Sequence, residues 1–153
     1  MKKLVMFGVV VMVLLGFAGK GFTAGKHGTA AEAEAMVKKA IAMAKAKGNE
    51  ATFAEINNPK GQFTDRDLYV FVYDINGKCV AHGQNLKMIG KELIEMKDAD
   101  GKEFVKERVE IAKTKGSGWQ DYKFTDPLTK KIEPKRAYIE RHGDLIFGSG
   151  IYK

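Results

Sequence analysis

The stretch that most constrains this chain runs from Leu68 to Gly90, L-Y-V-F-V-Y-D-I-N-G-K-C-V-A-H-G-Q-N-L-K-M-I-G. Tyr69 to Tyr73 is a β-branched and aromatic run, the composition of a buried strand. Asp74-Ile75-Asn76-Gly77 supplies the turn, because Asn and Gly accept the positive φ that a tight hairpin demands. Cys79 to His82 is a second short apolar strand that ends on a histidine. Strand, tight turn and strand in that order commit the domain to antiparallel β-structure.

The flanking segments supply helices for that sheet. From Thr29 onward, Ala33, Met36, Val37, Ala40, Ile41 and Ala44 recur at spacings of three and four, lining one helix face. Thr29 with Glu32 makes a capping box at its start, while Lys45, Lys47 and Gly48 mark its end. A short second helix over Asn49 to Ile56 buries Phe53 and Ile56, and Pro59 stops it. Beyond the hairpin, Glu92 to Met96 reads as a short helix and Asp98-Ala99-Asp100-Gly101 as a solvated turn. Phe104, Val105, Arg108, Val109, Ile111 and Ala112 define a third helix, amphipathic and closed at Gly116. Trp119 to Phe124, Lys135 to Arg141 and Leu145 to Ile151 then read as strands, with Gly148 and Gly150 allowing close backbone approach. The order predicts an α+β domain built on a mainly antiparallel five-stranded sheet.

Ahead of this lies an export signal. Lys2 and Lys3 precede an apolar run from Leu4 to Leu15, and the small residues Gly16, Ala18, Gly19, Gly21 and Ala24 follow. Cleavage after Ala18 and cleavage after Ala24 both fit, so residues 1–24 are expected to be a signal peptide and 25–153 one domain. The alternative is a retained N-terminal membrane anchor, although the run falls short of the roughly 20 residues that span a bilayer. Either way the domain works outside the cytoplasm, periplasmic or secreted. The formal charge is +7, and losing Lys2, Lys3 and Lys20 leaves +4, spread along the chain rather than gathered in a block. That surplus attracts small anions and does not point to nucleic acid. Cys79 is the only cysteine, so no intrachain disulfide forms, and it reads as a small buried hydrophobe.

Chemistry-bearing patterns are sparse. Asp98 and Asp100 open like a calcium loop, but the further oxygen ligands and the closing Glu of that loop are absent. His27, His82 and His142 are too scattered for a metal site, and Ser117 and Ser149 have no base beside them. The expectation is therefore a binding protein, with no catalytic residue, no metal and no cofactor.

The pattern Y-V-F-V-Y-D-I-N-G, then A-H at the end of the next strand, then I-G-K, resembles the single Cache domains of bacterial extracytoplasmic sensors. Further matches follow in order: K-D-A-D-G-K-E-F-V from Lys97, G-S-G-W-Q-D-Y-K-F from Gly116, P-K-R-A-Y-I-E from Pro134, and G-S-G-I-Y near the C-terminus. The resemblance spans roughly Ala31 to Tyr152. It implies a PAS-like fold with the long N-terminal helix lying across the sheet. Carried over position by position, it implies a ligand pocket formed by Tyr69, Phe71, Tyr73, His82, Trp119, Tyr122, Lys135 and Tyr138. Lys135 would anchor a carboxylate and the aromatic residues would exclude water. The family usually has proline soon after the histidine, where this chain has Gly83.

The resemblance therefore implies an exported sensor domain for a short organic acid. Since Lys153 follows directly on the last strand, the expected signalling partner is a separate membrane receptor. Two other readings stand beside it. One is a ligand-free PAS-like interaction module forming a homodimer through the N-terminal helix. The other is a haem-binding periplasmic protein using His82 or His142.

Overall fold

The computed structural model describes residues 25–153, and the expected signal segment, 1–24, lies outside the described residues. Helix α1 (Ala30–Lys47) begins at the capping box read from the sequence. Thr29 Oγ1 accepts from the Glu32 N–H at 3.2 Å, and Glu32 Oε2 accepts from the Thr29 N–H at 2.7 Å. Such a cap contributes about 1 kcal/mol. Gly48, at φ 88°, ends the helix and turns the chain directly into α2 (Asn49–Asn57). Ile56 is buried there as expected, Phe53 is half-buried against the same cluster, and Thr52 is buried too, its hydroxyl donating back to the Gly48 carbonyl at 2.8 Å.

Strands β1 (Thr64–Asp65) and β2 (Leu68–Tyr69) form a two-stranded ribbon ahead of the hairpin of β3 (Phe71–Asp74) and β4 (Cys79–His82). The one strand expected over Tyr69 to Tyr73 is interrupted at Val70, whose N–H bonds to the Phe63 carbonyl and whose carbonyl accepts from Gly83 N–H. In the ribbon's turn, Arg66 donates to the carbonyls of Gly25 and His27 and to the Glu32 carboxylate. Its neighbour Asp67, fully buried, accepts from the Gly28 N–H at 2.6 Å. The chain's entry into α1 is thereby fastened to the ribbon that carries Tyr69.

After a 3-10 turn (Leu86–Met88), the segment expected to be helical over Glu92 to Met96 is instead a bridge from Glu92 to Lys78 followed by a turn that Met96 N–H closes onto the Leu93 carbonyl. Cys79 N–H bonds to the Lys91 carbonyl at 3.0 Å and Leu93 N–H to the Gly77 carbonyl at 2.9 Å. A helix of so few residues is unstable on its own, so the backbone partners offered by the hairpin win. The turns Asp74 to Lys78 and Asp98 to Lys102 fold alike: in each, the Asp Oδ1 accepts from the N–H groups two and four residues on. Gly77 and Gly101 take φ of 91° and 83° there, which explains the shared D-x-[ND]-G-K pattern.

Helix α3 (Phe104–Lys115) leads into β5 (Ser117–Thr125), β6 (Ile132–His142) and β7 (Leu145–Tyr152). The sheet order is β4-β3-β7-β6-β5, antiparallel throughout. Helix α1 covers one face over β7 and β6, and its small buried residues Ala33, Ala40 and Ala44 allow the close approach. Helix α3 covers the other face, over β5 and β6. The core accordingly has two halves, one on each side of the sheet. Among the described residues, no helix is long and apolar enough to cross a membrane.

Candidate functional site

Sheet register gathers the candidates. Lys135 on β6 lies opposite Tyr122 on β5 and Tyr152 on β7, giving a row Tyr122, Lys135, Tyr152 across the sheet. A second row reads Ile139, Gly148, Phe71, His82. Directly opposed residues share a face, and Phe71 and Tyr73 share it by the two-residue period of β3. Tyr69 joins them, packed edge-on to Phe71 at 6.5 Å between ring centres. Six of the eight expected residues, Tyr69, Phe71, Tyr73, His82, Tyr122 and Lys135, thus meet on the α3 side, around Phe104 and Arg108.

Trp119 and Tyr138 are not among them. They lie against each other at 5.4 Å on the α1 side, where the Tyr138 hydroxyl donates to Glu140 at 2.7 Å. Lys135 and Tyr138 are three residues apart on a strand whose pairing with β5 continues unbroken through Pro134. Strand alternation therefore sends them to opposite faces.

Lys135 is 1% exposed. Its Nζ donates to Tyr69 Oη at 2.8 Å and to Tyr152 Oη at 3.3 Å, and it stands 3.9 Å from the centre of the Tyr69 ring. An ammonium has three hydrogens, so one remains for a further acceptor. Burial, reinforced by the positive charge of Arg108, holds the Lys135 amine well below the usual lysine range, while Asp67 and Asp126 pull the other way.

Arg108 is the member the sequence did not single out. The sequence places it on the stripe of α3 with Phe104, Val105, Val109, Ile111 and Ala112 but gives it no role in binding. In the structure it is 1% exposed, with Cζ 4.2 Å from the Phe71 ring centre and 4.7 Å from that of Tyr73. Nε donates to Gln120 Oε1 at 3.2 Å, and Gln120 is itself held by the Phe104 carbonyl at 2.7 Å. The signal that could have found it is its position between Val105 and Val109, on the buried stripe of α3. Tyr152 and Phe124 were missed as well; both lie within 6 Å of Lys135 Nζ, ring centre to nitrogen.

His82 completes the cluster, its ring 5.1 Å from Tyr69. Nδ1 accepts from the N–H groups of Gln84 at 3.2 Å and Asn85 at 2.9 Å, so the neutral ring carries its hydrogen on Nε2 as a donor. Burial, then the charges of Lys135 and Arg108, lower its pKa from 6.5 to about 3. Between those values the unfolded chain holds a proton that the folded chain does not. The His82 contribution to stability is therefore complete above pH 6.5 and falls as pH drops towards 3, with a full effect on the order of 5 kcal/mol. His82→Asn, whose amide oxygen can receive the same two N–H groups, should flatten the pH dependence of Tm across that interval. An unchanged slope would remove His82 as its cause.

Gly148 sets the position of the Phe71 ring, which both cations approach. A β-carbon on Gly148 would lie 2.2 Å from that ring. Gly148→Ala is expected to displace it and to destabilise the protein by about 1–3 kcal/mol in a denaturant melt. A neutral result would show that Phe71 has room to move.

The outer edge of β5 is closed by the second Asp turn. Asp98 Oδ2 accepts from the Lys123 N–H at 2.9 Å, and Lys102 Nζ donates to the Asp121 carbonyl. Burial opposes ionisation of Asp98, but its three backbone N–H donors together outweigh that and lower its pKa. The turn expected to be merely solvated is in fact a clip that protects a sheet edge. Beside it opens a cavity of about 230 Å³ with Tyr122 and Lys135 in its lining.

Donors without matching acids, walled by aromatic rings, suit a small anion. The family described as Single Cache domain 2 matches residues 11–152. The chain belongs to the single Cache family. This Cache domain is 29% identical over 89 residues to the sensor histidine kinase MctS of Rhizobium johnstonii, covering 57% of this chain and 19% of that protein. It is 29% identical over 90 residues to the methyl-accepting chemotaxis protein McpP of Pseudomonas putida, covering 58% of this chain and 16% of that protein. The chain thus spans less than a fifth of the length of either relative. Its fold is shared with a methyl-accepting chemotaxis protein of Vibrio parahaemolyticus, at a TM-score of 0.70 and 22% identity over 80% of this chain and 86% of that one. A Cache chemosensory domain described for carboxylic acid recognition superposes at 0.63, with 22% identity over the same shares.

Proposed function

We propose that this Cache domain is an exported sensor that binds a short organic acid, with the carboxylate held between Lys135 and Arg108. One observation carries the reading. Two fully buried cations share the Phe71 ring, and among the described residues no carboxylate lies within ion-pair distance of either. A buried charge without a counter-ion is costly by several kcal/mol, and proteins normally supply the partner. Here the missing partner is the ligand. Lys135 and Arg108 offer charge-assisted hydrogen bonds to its oxygens, His82 Nε2–H adds a neutral donor, and Tyr69, Phe71 and Phe124 exclude water.

The carboxylic acid recognition described for a domain of the same fold supports this choice of ligand class. The kinase and chemotaxis relatives support a membrane receptor as the recipient of the signal. The test is a thermal-shift and calorimetric screen of residues 25–153 against short carboxylates, amino acids and purines. A ligand that binds only the folded state stabilises it by about 2.7 kcal/mol at a hundredfold excess over Kd. A well-folded protein that responds to no carboxylate would overturn the reading.

A further inference from the structure

Phe124 stands between the buried cluster and the protein surface. Its ring centre is 5.7 Å from Lys135 Nζ, 6.3 Å from the His82 ring and 6.0 Å from the rings of Phe104 and Tyr122. On the outside, the same half-buried side chain lines two separate cavities. One, of about 160 Å³, is shared with Met96, Phe104 and the exposed Ile132. The other, of about 200 Å³, is shared with Gln84, Asn85 and Pro127. Gln84 and Asn85 are the residues whose N–H groups fix His82, so this second cavity abuts the cluster through a backbone already tied to it.

We propose that Phe124 is the residue that limits the length of the acid this domain accepts, by capping the cation box and closing it off from the two outer cavities. The inference rests on the carboxylate reading above and adds the end of the ligand opposite its charge. A carboxylate on Lys135 directs its hydrocarbon tail away from the ammonium, and the walls it can meet there are aromatic. Phe104 and Tyr122 each border one outer cavity, and Phe124 is the ring that borders two. Phe71 is wedged against Gly148, and Tyr69 is bonded to Lys135 and Tyr152. Phe104 and Tyr122 are stacked face to face at 4.7 Å. Removing the Phe124 ring is expected to join the box to the outer cavity whose lining includes the apolar side chains of Met96, Phe104 and Ile132 beside the polar ones of Lys97, Asp98 and Lys123.

The experiment titrates acetate, butanoate, hexanoate and octanoate into the wild type, Phe124→Ala, Phe124→Leu and Phe124→Trp, each checked for folding by its melting transition. In the wild type, affinity should fall beyond the shortest acids. In Phe124→Ala it should instead rise by about fourfold per added methylene until the opened space is filled. Phe124→Leu should give an intermediate profile, and Phe124→Trp should narrow the range further, so a folding failure in one variant leaves the others to decide. Folded variants that bind acids with the wild-type length profile would overturn this inference alone. Absence of binding by any acid to the wild type would overturn the carboxylate reading and this inference with it.

Discussion

Lys135→Met is expected to weaken binding of a short carboxylate by at least about thirtyfold while leaving the ligand-free protein as stable or more stable. The two effects share one origin. Lys135 is buried with neutral phenols as its only close hydrogen-bond partners among the described residues, so in the empty domain the charged form of its amine is poorly offset. Replacing a buried ion by an apolar residue of similar volume is often neutral or stabilising by about 1–4 kcal/mol. Methionine keeps the volume, where alanine would add a cavity penalty. Losing one partner of a buried charge-assisted contact with a ligand costs about 2–5 kcal/mol of affinity, hence the thirtyfold or greater loss. Calorimetry on the variant should show no heat with an acid that titrates the wild type, and its thermal transition should lie at or above the wild-type value. A variant that still binds would remove Lys135 as the anchor.

The same residue gives stability an alkaline pH dependence of known sign. The folded-state pKa of Lys135 lies below its ordinary value of 10.5. Across the window between the two, the unfolded chain holds the extra proton, so the ligand-free protein gains stability as pH rises. An anion at Lys135 reverses the preference by favouring the charged amine. Binding should therefore take up protons wherever the empty site is partly deprotonated, and Lys135→Met should abolish that linkage.

How much of this was legible depended on whether a residue's role followed from local pattern or from pairing across the sheet. The hairpin, the Thr29 capping box and the Gly48 stop are local devices, and each stands where its pattern put it. The face on which a strand residue lies is also local, and counting by two along β6 is what parts Tyr138 from Lys135. The resemblance that put Trp119 and Tyr138 in the pocket carried no such count. Glu92 to Met96 failed as a helix because its backbone partners, Gly77 and Lys78, belong to a hairpin more than ten residues away. Tyr152 and Phe124 reach Lys135 only through the β5-β6-β7 register, which no spacing in the chain reveals. Arg108 was legible only in part. Its place on the stripe of α3 is local, but its role depends on the aromatic rings of β3 and β5 that face it, which no spacing in the chain reveals.

Arg108 supplies the other large effect. Arg108→Met is expected to lower carboxylate affinity by about thirtyfold to a hundredfold, and Arg108→Lys by about tenfold. The guanidinium is held in a fixed plane: Phe71 and Tyr73 lie within 5 Å of Cζ, and Nε is bonded to Gln120. That arrangement turns the terminal amino groups towards Tyr73 and Tyr122, and a carboxylate that replaced those phenols as acceptor would meet both nitrogens at once, the geometry in which arginine binds most strongly. Lysine at this position keeps a charge but offers neither the flat face that stacks on Phe71 nor the Nε donor that Gln120 receives. The graded loss is the discriminating feature. If Arg108 acted only as a second positive charge raising the local potential, Lys would restore wild-type affinity, and the loss seen with Met would shrink with added salt. Equal affinity in the wild type and Arg108→Lys, measured at two ionic strengths, would therefore replace the bidentate contact with a simple field effect.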